Sequence, residues 1–368
     1  MGISLPLPAL LSQALVAFTI EFDNEFEHQV PHRTTNHGSS PGLPRSPWLV
    51  SMAMWIRYMR YVPTEGISVA ELQPLTGISN KGLNTWLTRL GKWWGYLEIE
   101  GQASRGPSKR IAPQAIIRPT IGGQRAIEVW RTLIPLVETR WRERFGSQTV
   151  ETLEKALREL ACQLDPALPA FFSVLEYEDQ KSRAARLRLS ARGLTLPELL
   201  AKVLLAVASE FDSQSVAPLA LCANVLRVTA NQGTRVRDLP HRTFLSADGT
   251  TAAIRQLVRG RLAVVQTDAS SGRAKILMLT PKARLARDAY LDLIGNIEKD
   301  WQKRFGAETM GRLKTSLEQL VVSPNASVCP LLRGLVPYPD GWRASLPPLE
   351  GLPHFPMVSH RGGFPDGS

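Results

Sequence analysis

The chain has 368 residues, 43% hydrophobic and 21% charged, enough for about two or three globular domains. Its 44 Lys and Arg against 33 Asp and Glu give +11 and a pI near 9.9, a balance that favours a polyanionic partner such as nucleic acid or an anionic membrane surface. Cys162, Cys222 and Cys329 form no CxxC pair, no apolar run reaches the roughly 18 residues of a bilayer span, and GxGxxG, P-loop and HExxH motifs are absent. A disulfide framework, a transmembrane protein and the common enzyme classes are set aside, and a reducing cytoplasm fits best.

The chain opens on "PALLSQALVAFTIEFD" (8 to 23), whose apolar residues recur at helical spacing. No Lys or Arg precedes Arg33, so this stretch reads as a first helix and not as a secretory leader. The paired carboxylates of "EFD", Glu21 and Asp23, do not share a helical face and are expected to be solvated at the helix end. A Pro, Gly, Ser and His-rich loop follows. Its His32 and His37, with His28, lack a cysteine and are interrupted by Pro31, which argues against zinc.

After a second helix and a short strand comes "SVAELQPLTGISNKGLNTWLTRLGKWWGYL", read as helix, turn, helix. Leu72 and Leu75 face the core, Gly77 lies in the turn and Ser79 caps a helix over 79–92. Leu83, Leu87 and Leu90 form one apolar stripe on that helix. Asn80, Lys81, Asn84, Thr85 and Thr88 occupy the opposite face, as short polar or basic groups suited to base edges and phosphates. A two-stranded hairpin over "GQASRGPSKRIAPQAIIRPT" carries Arg105, Lys109 and Arg110 near its tip. Two long helices complete the unit.

The unit then recurs. "TRWRERFG" (139 to 146) returns as "KDWQKRFG" (299 to 306), and residues 120–160 align without a gap on 280–320, pairing Trp141 with Trp301, Glu138 with Glu298 and Phe145 with Phe305. Upstream, "PELLAKVLLAVASEFD" (197 to 212) repeats the first helix, including Glu210 and Asp212, and Gly66, Leu72 and Leu90 pair with Gly233, Leu239 and Leu257. Residues 1–165 are therefore one module, 166–196 a linker, 197–322 a second module, and 323–368 a Pro-rich tail forming either an extended strap or a disordered end, with His360 and Arg361 as surface charges.

Helix-turn-helix, hairpin and flanking helices, with the hairpin signature Asp268, Gly272, Arg273, Leu279 and Thr280, resemble the MarR family of bacterial transcription regulators over about residues 8–160 and 197–320. The resemblance implies a mainly α fold with small β-hairpins (α+β). It implies two tandem winged helix-turn-helix modules whose terminal helices form an intramolecular pseudo-dimer, with Trp141 and Trp301 packed in that bundle or within their own modules. It implies a cytoplasmic, nucleoid-associated DNA-binding regulator, a pseudo-dimeric monomer or a homodimer, with no cofactor and no membrane partner.

In the second copy the expected DNA contacts are Ser246, Thr250, Thr251 and Arg255 on the helix, with Arg273 and Lys275 on the hairpin. Asp248 stands opposite Lys81, so the copies are expected to read DNA unequally, at half-sites about 10 bp apart. Trp55, Tyr58, Trp86, Trp93 and Trp94 crowd the first copy, where the second has Cys222, Ala253, Gly260 and Arg261 opposite the four tryptophans. They are either a pocket for a small aromatic effector, as the resemblance implies, or additional core. The alternative function is a degenerate winged-helix scaffold that binds a protein or small molecule without recognising DNA.

Overall fold

The computed structural model describes residues 5–30, 51–76, 80–101, 111–166, 168, 193–245, 247–268, 272, 274–321, 329–339 and 350–355, with residues 221 and 248 by backbone alone. Among them the chain is mainly helical with two small antiparallel sheets. The first half runs α1 (Leu7–Gln29), α2 (Ser51–Arg57), β1 (Ile67–Ser68), α3 (Val69–Thr76), α4 (Asn80–Lys92), β2 (Leu97–Glu100), β3 (Ile116–Pro119), α5 (Ile121–Phe145) and α6 (Ser147–Gln163). The second half repeats the order with α7 (Leu196–Gln214), α8 (Leu219–Val228), β4 (Thr234–Arg235), α9 (Leu239–Thr243), α10 (Ala247–Arg259), β5 (Ala263–Thr267) and β6 (Lys275–Leu279). Three helices follow, α11 (Pro281–Asp288), α12 (Tyr290–Phe305) and α13 (Ala307–Val321).

The short strand expected before each helix-turn-helix joins the two-stranded hairpin as a third strand, in the orders β1-β3-β2 and β4-β6-β5, with Ile67 opposite Ile117 and Thr234 opposite Leu277. Gly66 and Gly233 permit this. Both have φ near +90°, and a Cβ there would strike Ile116 or Ile276 of the central strand.

The bundle is built reciprocally. α1 packs on its counterpart α7 and α6 on its counterpart α13, while α1 also meets α13 and α7 meets α6. Two hydrogen bonds mark the exchange. The Leu7 N–H at the start of α1 donates to Glu298 Oε1 in the other half at 2.8 Å, and the Leu196 N–H at the start of α7 donates to Glu138 Oε1 at 3.3 Å. Each glutamate satisfies a helix N-terminal donor that has no partner within its own helix. α1 has apolar residues around its circumference and is buried from Leu7 through Phe26, its polar side chains included.

The repeated Trp, Arg, Phe and Gly have separate jobs. Gly146 and Gly306, with φ of 86° and 91°, turn α5 into α6 and α12 into α13. The Trp141 indole N–H and the Arg144 guanidinium converge on Glu21 at 3.1 and 2.6 Å, and Trp301 and Arg304 converge on Glu210 at 2.6 and 3.3 Å. Phe145 and Phe305 pack edge-on to the tryptophans. The tryptophans therefore bond to the first helix of their own half, and that helix lies in the bundle. The carboxylates expected to be solvated are not. Glu21 is 3% exposed and Asp23 2%; Asp23 Oδ1 accepts the Met52 N–H of α2, and Asp212 Oδ1 accepts the Leu219 N–H of α8.

The tail acts as a strap where it is described. Leu331 and Leu335 enter the main core and the Leu335 carbonyl accepts from Asn24, while Tyr338 donates to Glu25 and stacks on His28. Gly334 lies against Glu21 and Arg144 so closely that any side chain would collide with both.

Two consequences are measurable. Glu21→Leu leaves a half-buried guanidinium and a buried indole without an acceptor and should lower stability by about 3 kcal/mol. Glu210→Leu should lower it by only about 1–2 kcal/mol, since water reaches Arg304; equal urea midpoints for the two variants contradict this. Burial pushes the Asp212 carboxyl up to about 7, against the opposing bond from Leu219. The folded state then holds a proton that the unfolded chain releases, so the associated stability exists at low pH and is lost as pH rises from about 4 through about 7. Asp212→Asn, which still accepts the Leu219 N–H, should flatten that decline in a series of urea titrations across the range.

Candidate nucleic-acid interface

α4 is positioned by its apolar stripe. Leu83, Leu87 and Leu90 are fully buried, Trp86 nearly so, and the helix is anchored beside α3 through Leu72, while Leu75 is only half-buried. The opposite face presents Asn80, Lys81 and Thr85 to solvent, with Asn84 and Thr88 half-buried at its margin. Two of these groups are already engaged. The Asn84 carboxamide oxygen accepts the Ile111 N–H at 2.7 Å, tying the base of the hairpin to the helix, and the Thr88 hydroxyl donates to the Asn84 carbonyl. Thr85 donates likewise to the Lys81 carbonyl while staying exposed. Ser79, Arg105, Lys109 and Arg110 lie outside the described residues.

In the second half α10 occupies the matching position, with Ala253 and Leu257 buried and Thr251 and Arg255 exposed. Thr250 is a correction. It is 2% exposed, faces the small core of this half, and its hydroxyl has no partner among the described residues, so it is not a surface contact. Lys275 is exposed on β6; Ser246 and Arg273 lie outside the described residues. Exposed basic groups that the motif reading passed over flank α10 as well: Arg237 and Arg242 before it, Arg259 at its end and Arg261 just beyond. Their signal in the sequence was the arginine density of 235–261 in a stretch with few carboxylates.

Both hairpins are locked to the next helix by the same residue. Thr120 accepts the Gly123 N–H and donates to the Gly95 carbonyl, and Thr280 accepts from Ala283 and donates to the Leu262 carbonyl. The hairpin and the exposed helix in each half are thus fixed relative to the long helices of the bundle. No ionisable group in α4 combines burial with a catalytic partner, and no cluster of three or more His, Cys, Asp or Glu suited to a metal occurs among the described residues.

The aromatic cluster fills its own space. Tyr58, Trp86 and Trp94 are buried and stacked, with ring centroids 5.0 Å apart for Tyr58 and Trp86 and 6.0 Å for Trp86 and Trp94. Trp55 lies over Trp130 at 6.3 Å, and Phe26 stacks on Trp130 at 4.8 Å. These rings weld the first head to the bundle, giving one continuous core, whereas the second head keeps a separate small core around Cys222, Val225, Leu257 and Leu277. Trp55 is half-buried and Trp93 is exposed, with Arg89 over the Trp93 ring at 5.0 Å. Cys222 is a packing residue, its thiol pushed up to about 12 by burial.

Thr250→Val removes a buried hydroxyl without a partner and should leave stability unchanged or raise it by about 1 kcal/mol in thermal unfolding. A marked loss would show that the Thr250 hydroxyl has a buried partner. No helix among the described residues is long and apolar enough to cross a membrane. Comparison with protein-family models, curated proteins and solved structures returned no match.

Proposed function

We propose that this chain is a sequence-specific double-stranded DNA-binding transcriptional regulator, built from two tandem winged helix-turn-helix modules that share one bundle as a pseudo-dimeric monomer. The observation that carries the reading is the twofold recurrence of a helix with a solvent-facing polar side, α4 and α10, each beside a three-stranded sheet and each clamped to the bundle by a threonine. A helix of this width fits a major groove, and the neighbouring hairpin reaches the backbone on either side. The basic balance of the chain and the exposed arginines around α10 supply phosphate contacts. The resemblance to the MarR family belongs to this reading, as does response to a small effector.

The halves read DNA unequally on this view. α4 offers Asn80, Lys81 and Thr85 for base edges; α10 offers Thr251 and Arg255 within a more arginine-rich surround. The preferred site is therefore non-palindromic, with half-sites about 10 bp apart where both helices engage.

Selection of bound duplexes from a random pool, followed by anisotropy titrations over a range of salt, tests this directly. Wild type should enrich a defined asymmetric site. Lys81→Ala with Thr85→Ala should lose the sequence preference, and Arg255→Ala should reduce the salt slope by about 0.9 without changing the preferred sequence. Failure to enrich any site, with weak binding indifferent to these substitutions, would favour a winged-helix scaffold for a protein or small-molecule ligand.

A further inference from the structure

The two sheets end on unlike edges. In the first half β2 lies at the edge of the order β1-β3-β2, and its exposed side chains are carboxylates. Glu98 and Glu100 stand opposite Arg118 and Ile116 of β3, and Arg118 holds Glu100 at 2.9 Å while its Nε donates to the Glu65 carbonyl. Charges placed this way keep other chains from adding to an open strand. In the second half β5 holds the same edge and carries none. Val264 and Gln266 take the places of Glu98 and Glu100, opposite Met278 and Ile276 of β6.

The open side of β5 follows from its ladder. The Leu262 carbonyl accepts the Thr280 N–H at 2.9 Å and the Asp268 N–H donates to the Ala274 carbonyl at 2.7 Å, and in an antiparallel pair bonded residues alternate. Val264 and Gln266 therefore turn their N–H and C=O groups to β6, and those of Ala263, Val265 and Thr267 point away from the sheet. No strand among the described residues meets them. Val264 through Thr267 are exposed in succession, Val264 at 44% and Val265 at 40%, and Val258 at the end of α10 adds a third exposed valine. The edge is an apolar strand with an unmatched row of donors and acceptors.

Both ends of this strand are basic. The Tyr96 N–H returns to the Leu90 carbonyl and the Leu262 N–H to the Leu257 carbonyl, so the turn into β5 is one residue shorter than the turn into β2. Directly before Leu262, Arg261 holds the left-handed place, φ 55°, that Gly95 holds at φ 67° before Tyr96. A side chain in that conformation costs free energy that glycine avoids, and the gain is an exposed guanidinium at the entry to the strand. At the other end Lys275 is exposed directly across from Thr267. Asp268, the next carboxylate along the chain, is buried and paired with Arg235.

We propose that β5 is the docking edge for an extended segment of another protein, which adds to the second sheet as a fourth strand, with β-branched apolar residues in its middle and carboxylates at both ends. The outward N–H and C=O groups of Ala263, Val265 and Thr267 pair with its backbone, the valines meet its apolar side chains, and Arg261 and Lys275 meet its carboxylates. A phosphate backbone could reach the same two cations, but it has no alternating donors and acceptors and gains nothing from exposed valines. A second copy of this chain is equally basic along the edge, so like charges oppose that pairing. The assignment uses no part of the DNA-binding reading and stands or falls separately from it.

The test is fluorescence anisotropy and amide hydrogen exchange of the full chain with a labelled seven-residue peptide, Val-Thr-Val-Thr-Val in the middle and Glu at each end, against a control with Lys at each end. The acidic peptide should bind saturably and slow exchange at Val265 and Thr267, and the control should bind at least tenfold more weakly. Val265→Pro removes an outward donor that β6 does not use and should weaken binding tenfold or more. Val264→Glu with Gln266→Glu, which gives β5 the charges of β2, should do the same with the backbone unaltered. No saturable binding by wild type, equal binding of the control, unchanged binding by either folded variant, or slowed exchange at Val265 and Thr267 caused by self-association or by duplex DNA in place of the peptide overturns the proposal.

Discussion

The structure depends on a helix that neither half can bury alone. α1 carries Leu7, Leu10, Leu11, Leu15, Val16, Phe18, Ile20, Phe22 and Phe26, all buried, spread around its circumference. At about 1.5–3 kcal/mol for each large apolar side chain, exposing this set exceeds the roughly 5–15 kcal/mol by which a domain is stable. The other half must therefore be present when α1 folds. Its α7 and α13 supply the covering surfaces, and Glu298 supplies the acceptor for the first N–H. A duplicated chain meets that need within one molecule.

From this constraint the repeated segment acquires its meaning. The Trp and Arg of α5 and α12 grip the glutamate near the end of the first helix, and the glycine that follows turns the chain into α6 or α13, the helices that pair across the pseudo-twofold. One segment thus fixes the first helix from one side and aims the last helix from the other. Conservative change at any of these four positions would shift both.

Much of this was legible in the sequence, and the limits have physical causes. Periodicity gave the helices, and the gap-free alignment of 120–160 with 280–320 gave the duplication, because both are local properties. The stripe Leu83, Leu87 and Leu90 pointed to the buried side of α4 for the same reason. What was misread depends on distant partners. Glu21 looks like a solvated helix end until Trp141 and Arg144, more than a hundred residues later, are seen to meet it. Thr250 sits among polar residues in sequence yet turns inward, because it takes the place on α10 that Leu83 takes in the buried stripe of α4. The short strand before each helix-turn-helix was expected, but its pairing with the hairpin depends on a distant partner strand and on the glycine before it.

The departures from symmetry are more informative than the symmetry. Trp55, Trp86, Trp94 and Trp130 make the first head continuous with the bundle, so any motion of α4 must carry the bundle with it. The second head has Cys222, Ala253, Arg261 and Tyr290 in those places and keeps a separate core. The start of α8 joins it to the frame, with Leu219, Ala220 and Ala223 in the main core, and a strap adds to this through Asn224 and the contact of Gly351 with Phe244. Aromatic packing is a permanent connection at physiological temperature, whereas a few hydrogen bonds to an extended segment amount to about 1 kcal/mol each and are open to exchange. Duplication thus produced one head joined to the frame by aromatic rings and one joined by the start of α8 and by a strap.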